Sequence, residues 1–258
     1  MNDALYIAAT GMQMQQLNVD TIANNLANVN TTGFKKGQVT FQALVRSGLT
    51  QAVAPDSAEG IPPTPLGAGV ALASSAKLFA QGELKKTDNP LDVAIRGDGF
   101  LELELPDGTS AYTRGGTLIV NKDGLLATAE GYPLKPNIHV GSDVKDISIA
   151  ADGRVTIGGS NAPQEVGRIE LAGFSDLTGL ESAGGNMYRP TERSGDAIYS
   201  MPGEDNAGSI AQGYTEASNV KLIDEMVNLM VAQRAYEMSV KVIQASDDML
   251  AMSNNLRR

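Results

Sequence analysis

Apolar residues near the N-terminus return about every 3.5 residues, the period of a helix that winds along another helix. Leu5, Ala8, Met12, Gln15, Val19, Ile22, Leu26 and Val29 are spaced 3-4-3-4-3-4-3, and only Gln15 is polar. The C-terminal end repeats the rhythm. Leu222, Met226, Leu229, Gln233, Tyr236, Val240, Ile243, Asp247 and Leu250 are spaced 4-3-4-3-4-3-4-3, with Gln233 and Asp247 polar. Asn2 or Asp3 can cap a first helix, and no proline occurs before Pro55. The pattern therefore predicts a helix from Ala4 to Asn28, roughly 37 Å long. It should stop near Asn30, where Thr31-Thr32-Gly33 brings β-branching and then a residue suited to positive φ. Ser218 or Asn219 can cap the second helix, about 35 residues and roughly 50 Å long.

The polar face of the first helix is made of amides: Gln13, Gln15, Gln16, Asn18, Asn24, Asn25 and Asn28. Solvated helices usually carry Lys and Glu pairs there. Amides both donate and accept, so they can bond to neighbouring helices without the desolvation cost of a charge. Residues 46–66 carry Pro55, Pro62, Pro63 and Pro65 and no clear period, the composition of a surface loop or linker. Beyond them come strand-like runs: Phe100 to Leu105, Ala111 to Thr113, Thr117 to Val120, Leu125 to Thr128, a hairpin of Ile147 and Ile149 with Val155 and Ile157, and Arg168 to Phe174. Turns at Pro106-Asp107-Gly108, Lys122-Asp123-Gly124 and Asp152-Gly153 separate them. Leu101, Leu103 and Leu105 alternate with Glu102 and Glu104, as in a half-buried strand with its acids outside. The expected fold is α+β: N- and C-terminal helices paired as an antiparallel coiled coil, with an antiparallel β-rich domain between them. The expected divisions are a first helical segment at 1–34, an extended linker at 35–86 that includes 46–66, a β-rich domain at 87–200 compact over 87–175, and a return segment with the second helix at 201–258.

Composition narrows the function. With 20 Lys plus Arg against 30 Asp plus Glu, the net charge is −10, and no basic run exceeds Lys35-Lys36 or Lys85-Lys86. Such a field repels phosphate backbones, so no nucleic-acid partner is expected. There is no cysteine, which removes disulfides, thiolate metal sites and thiol nucleophiles. Ala4 to Ala9 is too short for the apolar part of a cleaved leader, and no run approaches the ~20 apolar residues of a membrane span. Neither membrane insertion nor a cleaved signal peptide is expected. Catalytic parts are missing. His139 is the only histidine, Gly67-Ala68-Gly69 lacks the third small residue of a dinucleotide loop, and the Asp-Gly turns lack the carboxylates of a calcium loop. No catalytic, cofactor or metal site is expected. Arg96-Gly97-Asp98 spells an adhesion tripeptide, and a turn is its plainer reading.

Asn24-Asn25-Leu26-Ala27-Asn28, followed by Thr31-Thr32-Gly33-Phe34-Lys35, resembles the N-terminal signature of the bacterial flagellar axial proteins of the rod and hook. Gly82-Glu83-Leu84 with Thr87 to Ile95 is similar to that family's second signature. Gln212-Gly213-Tyr214-Thr215-Glu216-Ala217-Ser218-Asn219-Val220, with Gln233 to Glu237 behind it, is similar to its C-terminal one. Leu5 to Met12, with Gln15-Gln16 and Asn18-Val19-Asp20, matches the distal-rod branch. The resemblance implies a non-enzymatic, self-assembling subunit of a hollow, stiff drive shaft that spans the periplasm. It also implies that the 46–66 stretch locks neighbouring copies together. The implied partners are further copies of itself, other rod proteins, the hook protein, periplasmic and outer-membrane ring proteins and the flagellar type III export apparatus. Two alternatives remain: a proximal-rod or hook subunit, and a secreted binding module on a coiled-coil stalk.

Overall fold

The computed structural model describes residues 2–46, 66–141, 146–158, 163–204 and 207–255. The proline-rich stretch read as 46–66 thus lies, apart from its two end residues, outside the described residues. The chain divides into two compact units. The first comprises Met1–Leu26, Gly37–Ala76 and Leu222–Arg258, and the second Ala27–Lys36 and Lys77–Lys221.

The first unit holds the two long helices, α1 (Asn2–Ala27) and α2 (Leu222–Asn255). The helix α1 stops slightly before the predicted point. The Thr31 amide and hydroxyl both turn back onto Asn28, and Gly33 takes a φ of 71°. Val29, expected on the helical stripe, therefore lies in the turn beyond it. The helix α2 begins later than the caps expected at Ser218 and Asn219, because both side chains are already engaged. Ser218 accepts the Val220 amide, and Asn219 bridges three backbone groups described below.

Within residues read as a linker, two strands pair as a small sheet: β1 (Gly37–Arg46) and β2 (Leu66–Lys77). The alternation of Val39, Phe41, Ala43 and Val45 suits a strand, and small residues fill β2. That smallness lets β2 approach α1. Gly69 has a φ of 115°, and a Cβ there would come within 2.7 Å of the Thr10 hydroxyl.

The second unit is antiparallel β throughout. A four-stranded sheet runs in the order Ser209–Gln212, Asp92–Arg96, Gly115–Val120, Leu126–Thr128. A five-stranded sheet runs Glu181–Gly184, Met187–Arg189, Ser110–Thr113, Leu101–Glu104, Leu134–Lys135. Val93, Ile95, Leu103, Leu118, Leu126 and Leu134 are fully buried in the core these strands share. Some of the aromatics form a second cluster, where Phe79, Phe100, Phe174, Tyr112 and Tyr188 meet edge to face at centroid distances such as 4.8 Å for Tyr112 and Phe174.

Two strand expectations need correction. Glu102 does not face water: it is buried, accepting from the Ser110 hydroxyl at 2.7 Å and from Lys135 at 3.3 Å. Leu101–Glu104 lies between two paired strands, and Ser110 and Lys135 from them close over the Glu102 carboxylate, so the alternation marks polarity without marking exposure. Arg168 to Phe174 is not one strand. Gln164–Arg168 pairs with Arg154–Ile157, while Leu171–Gly173 leaves to pair with Ile198–Ser200.

The turns carry a local signature. Asp107, Asp152 and Asp176 each accept from the amide two residues on. Hydrogen bonds from the Thr109 hydroxyl and then the Thr109 amide hold the Asp107 carboxyl below its ordinary 3.8. A carboxyl lowered in the fold stabilises it fully above 3.8, and that contribution fades as pH falls through the lower folded value. Carbon NMR titration is expected to place the Asp107 midpoint below 3.8, and Thr109→Ala should move it back up. An unmoved midpoint would mean that this turn does not act on its carboxylate.

Candidate assembly faces and the junction of the motifs

In the second unit the three family-like motifs meet at a buried ion cluster. Lys35, Arg114 and Glu216 keep 1, 3 and 2% of their surface exposed. Strand Leu84–Lys86 pairs with Tyr214–Glu216, setting Leu84 opposite Glu216. One Glu216 oxygen accepts from Lys35 Nζ at 2.6 Å and from the Gly82 amide at 2.7 Å. The other accepts from Arg114 Nε at 3.4 Å. Gly82 has to be glycine, since a Cβ there would run into the Ala217 carbonyl. Arg114 spends its other donors on the Gly99 and Gly97 carbonyls at 2.9 and 2.7 Å, and Lys35 also reaches the Ala80 carbonyl at 2.9 Å. Burial pulls the Lys35 ammonium below its ordinary range while Glu216 works to hold it up. The neighbouring Tyr188 phenol is pushed up to about 12, first by burial and then by the Glu216 charge.

Backbone bonds finish the junction. Gly33 donates to the Glu216 carbonyl at 2.7 Å and Asn219 to that of Phe34 at 3.4 Å. The Asn219 side chain accepts from the Lys36 amide at 2.7 Å and donates to the Leu78 and Ala80 carbonyls. Lys77 lies 4.4 Å above the buried Phe34 ring. Arg96-Gly97-Asp98 is tied into the same network. The Gly97 amide donates to Gln81, its carbonyl accepts from Arg114, and the Asp98 carbonyl accepts from Gly208, so the tripeptide is a bonded turn.

Among the other motif positions, Asn25 is buried in the first unit. Its amide exchanges two hydrogen bonds with the Gly37 backbone, at 2.9 and 2.8 Å, and donates to the fully buried Glu225 at 3.4 Å. Asn24, Ala27 and Thr32 are exposed, Leu26 and Asn28 half-buried, Gly33 buried. The motifs that carry Lys35 and Glu216 were legible, but their pairing with each other and with Arg114 was not.

In the first unit α1 and α2 touch with opposite sense. Asn25 meets Glu225, a Cβ on Gly11 would lie 4.0 Å from the Ser239 hydroxyl, and Gln16, Val19, Gln233, Tyr236 and Glu237 line one open groove of about 370 Å³. Along α1 the expected stripe faces inward: Ala8 and Ile22 are buried, and Leu5, Met12, Val19 and Leu26 half-buried. The Gln15 carbonyl on that stripe is buried without a partner. Along α2 the inward face is rotated from the expected stripe. Leu229, Val240 and Ile243 are half-buried, but Leu222, Met226 and Tyr236 are exposed. Their places are taken by Glu225, Ala232, Ser239 and Ser246. Small residues let the chain pack closely there, and a search for large apolar residues passes over them.

The opposite side of α2 has no partner among the described residues. Ile223, Met226, Val227, Met230 and Val231 are between 49 and 76% exposed, and Met238, Val242, Met249 and Met252 continue the exposure. At about 100° per residue, these positions sit across the helix from Glu225, Ala232, Ile243 and Ser246. Arg234, Glu237, Lys241 and Asp248 are interleaved with the later ones. Among the described residues no helix is long and apolar enough to cross a membrane, and no group of three or more acidic or histidine side chains could hold a metal.

Three family models match. They are described as flagella basal body rod protein over residues 5–35, flagellar hook protein FlgE/F/G D1 domain over 94–157, and flagellar basal body rod FlgEFG protein C-terminal over 211–256. The chain is 44% identical to the flagellar basal-body rod protein FlgG of Borreliella burgdorferi, over the full length of both. It is 43% identical to the protein of the same name from Caulobacter vibrioides, over 98% of this chain and 99% of that one. It is 30% identical to the flagellar hook-basal body complex protein FlhP of Bacillus subtilis, over 98% and 99%.

Proposed function

Since the chain belongs to the FlgG family of flagellar basal-body rod proteins and is a structural subunit of that rod, we propose that it polymerises through α1 and α2 into an open tube. Within one copy the two helices pair as an antiparallel coiled coil along Leu5, Met12, Val19, Ile22 and Leu26 of α1 and Leu229, Val240 and Ile243 of α2. Leu222, Met226 and Tyr236 then turn toward neighbouring copies, and head-to-tail contacts that do not close give a filament. The β-rich unit forms an outer layer, the lumen passes exported subunits, and the shaft carries torque to the hook through the surrounding rings. The subunit reaches its place through the flagellar type III apparatus.

One observation carries this reading: among the described residues, α2 leaves an apolar side, Ile223, Met226, Val227, Met230 and Val231, exposed. A face that large, left in water, calls for another copy. The stalked binding module is the weaker reading, because the full-length likeness is to flagellar rod proteins.

Hydrogen exchange on dilute protein and on sedimented polymer tests it. Amides of 2–26 and 222–255 are expected to exchange quickly when dilute and to gain protection in the polymer, while 92–128 is protected in both. Helices fully protected in the dilute protein, with no polymer at any concentration, would sink the proposal.

A further inference from the structure

Half of the chain's 10 methionines lie on the exposed side of α2. Met226, Met230, Met238, Met249 and Met252 are between 50 and 61% exposed. At about 100° per residue they fall within an arc of about 140°, one stripe running most of the helix's length. Met12 and Met14 are half-buried on α1. Met187 is buried in the β core, and Met201 is exposed in the second unit, where its sulfur accepts from Arg168 at 3.0 Å. No cysteine is present to draw off an oxidant first.

We propose that this stripe is an oxidation site that governs whether a free subunit can be incorporated. The oxidant is a peroxide. A thioether sulfur attacks one peroxide oxygen with its lone pair, a sulfur–oxygen bond forms, the oxygen–oxygen bond breaks, and water leaves. The sulfur loses two electrons and the peroxide gains them. The product is a rigid, strongly polar sulfoxide where a flexible apolar side chain stood. Burying that group against a neighbour leaves its oxygen without a donor, so the contact weakens at each modified position. Incorporation then covers the stripe and protects it. Enzymatic reduction of the sulfoxide restores the apolar face, which makes the step reversible. The inference rests on the proposed assembly through α2 and adds a chemical condition to it.

The test exposes purified full-length protein to limited hydrogen peroxide, maps sulfoxide at each methionine by mass spectrometry, and measures polymer by sedimentation at rising concentration. The five α2 methionines are expected to oxidise well before Met187, and the polymerisation threshold is expected to rise about tenfold or more. Treatment with methionine sulfoxide reductase should return the threshold to its starting value. A variant with all five changed to leucine should polymerise, and should keep polymerising after peroxide. The Met201→Leu variant should remain as sensitive as the parent. Oxidised parent that polymerises like untreated parent overturns the inference while leaving the assembly reading intact. So does a five-leucine variant that loses assembly to peroxide as the parent does. Untreated protein that never polymerises removes both.

Discussion

Glu216→Ala is expected to lower the unfolding free energy of the β-rich unit by about 3–5 kcal/mol, the usual result of stranding buried charges. Among the described residues Glu216 is the carboxylate that Lys35 and Arg114 bond, and all three side chains are almost wholly out of water. Removing it leaves two cations with carbonyls alone, and the Gly82 amide loses its acceptor. Urea unfolding followed by circular dichroism and tyrosine fluorescence measures the loss, since the chain has no tryptophan. Lys35→Met combined with Glu216→Gln should couple by about 1–3 kcal/mol in a double-mutant cycle. A loss below about 1 kcal/mol for Glu216→Ala would show that the cluster is solvated in solution. The expected effect has a wider reach than the β-rich unit's own stability. Gly33, just beyond α1, donates to the Glu216 carbonyl, and Asn219, just before α2, donates to that of Phe34 beside Lys35, so the loss should also free the chain leading out of and into the helices.

Asp in place of both Val227 and Val231 is expected to raise the polymerisation threshold about a hundredfold or more, because a buried, unpaired carboxylate is among the costliest changes an interface can take. Both residues are exposed in the single chain, at 49 and 64%. The variant's thermal unfolding should therefore stay within about 0.5 kcal/mol of the parent. Sedimentation and calorimetry on the same samples separate the two effects. Unchanged polymerisation would mean that the start of α2 faces solvent in the filament, and the proposed contact would have to be placed elsewhere on the helices.

How much of this was legible in the sequence differs by element. The two helices and the direction of the α1 stripe follow from spacing alone, because one face of α1 is large and apolar and the other is amide. The tight turns at Asp107-Gly108 and Asp152-Gly153 were equally plain, since each needs a glycine at positive φ and an acid that can bond to the amide two residues on. The face of α2 was harder. That helix is apolar nearly all round in its first three turns, so periodicity offers more than one stripe, and the inward one uses Ala232, Ser239 and Ser246 as much as leucine. Glu102 was misread for a related reason, because alternation reports residue type and cannot report what lies on the second face of a sheet.

By itself the sequence determined the class of the fold, the positions of the two helices, the acidic and cysteine-free character, and the motifs that identify the family. These depend on residues near one another in the chain, or on composition, which tertiary structure does not alter. Only the tertiary structure decided that Lys35, Arg114 and Glu216 form one buried cluster, that Asn25 clamps Gly37 to the first helix, and that Phe79 and Phe174 share a cluster with Phe100 and Tyr188. Each of these joins residues that the chain keeps far apart in number, with partners chosen by hydrogen-bond geometry and close packing. A pattern along one dimension carries no record of those.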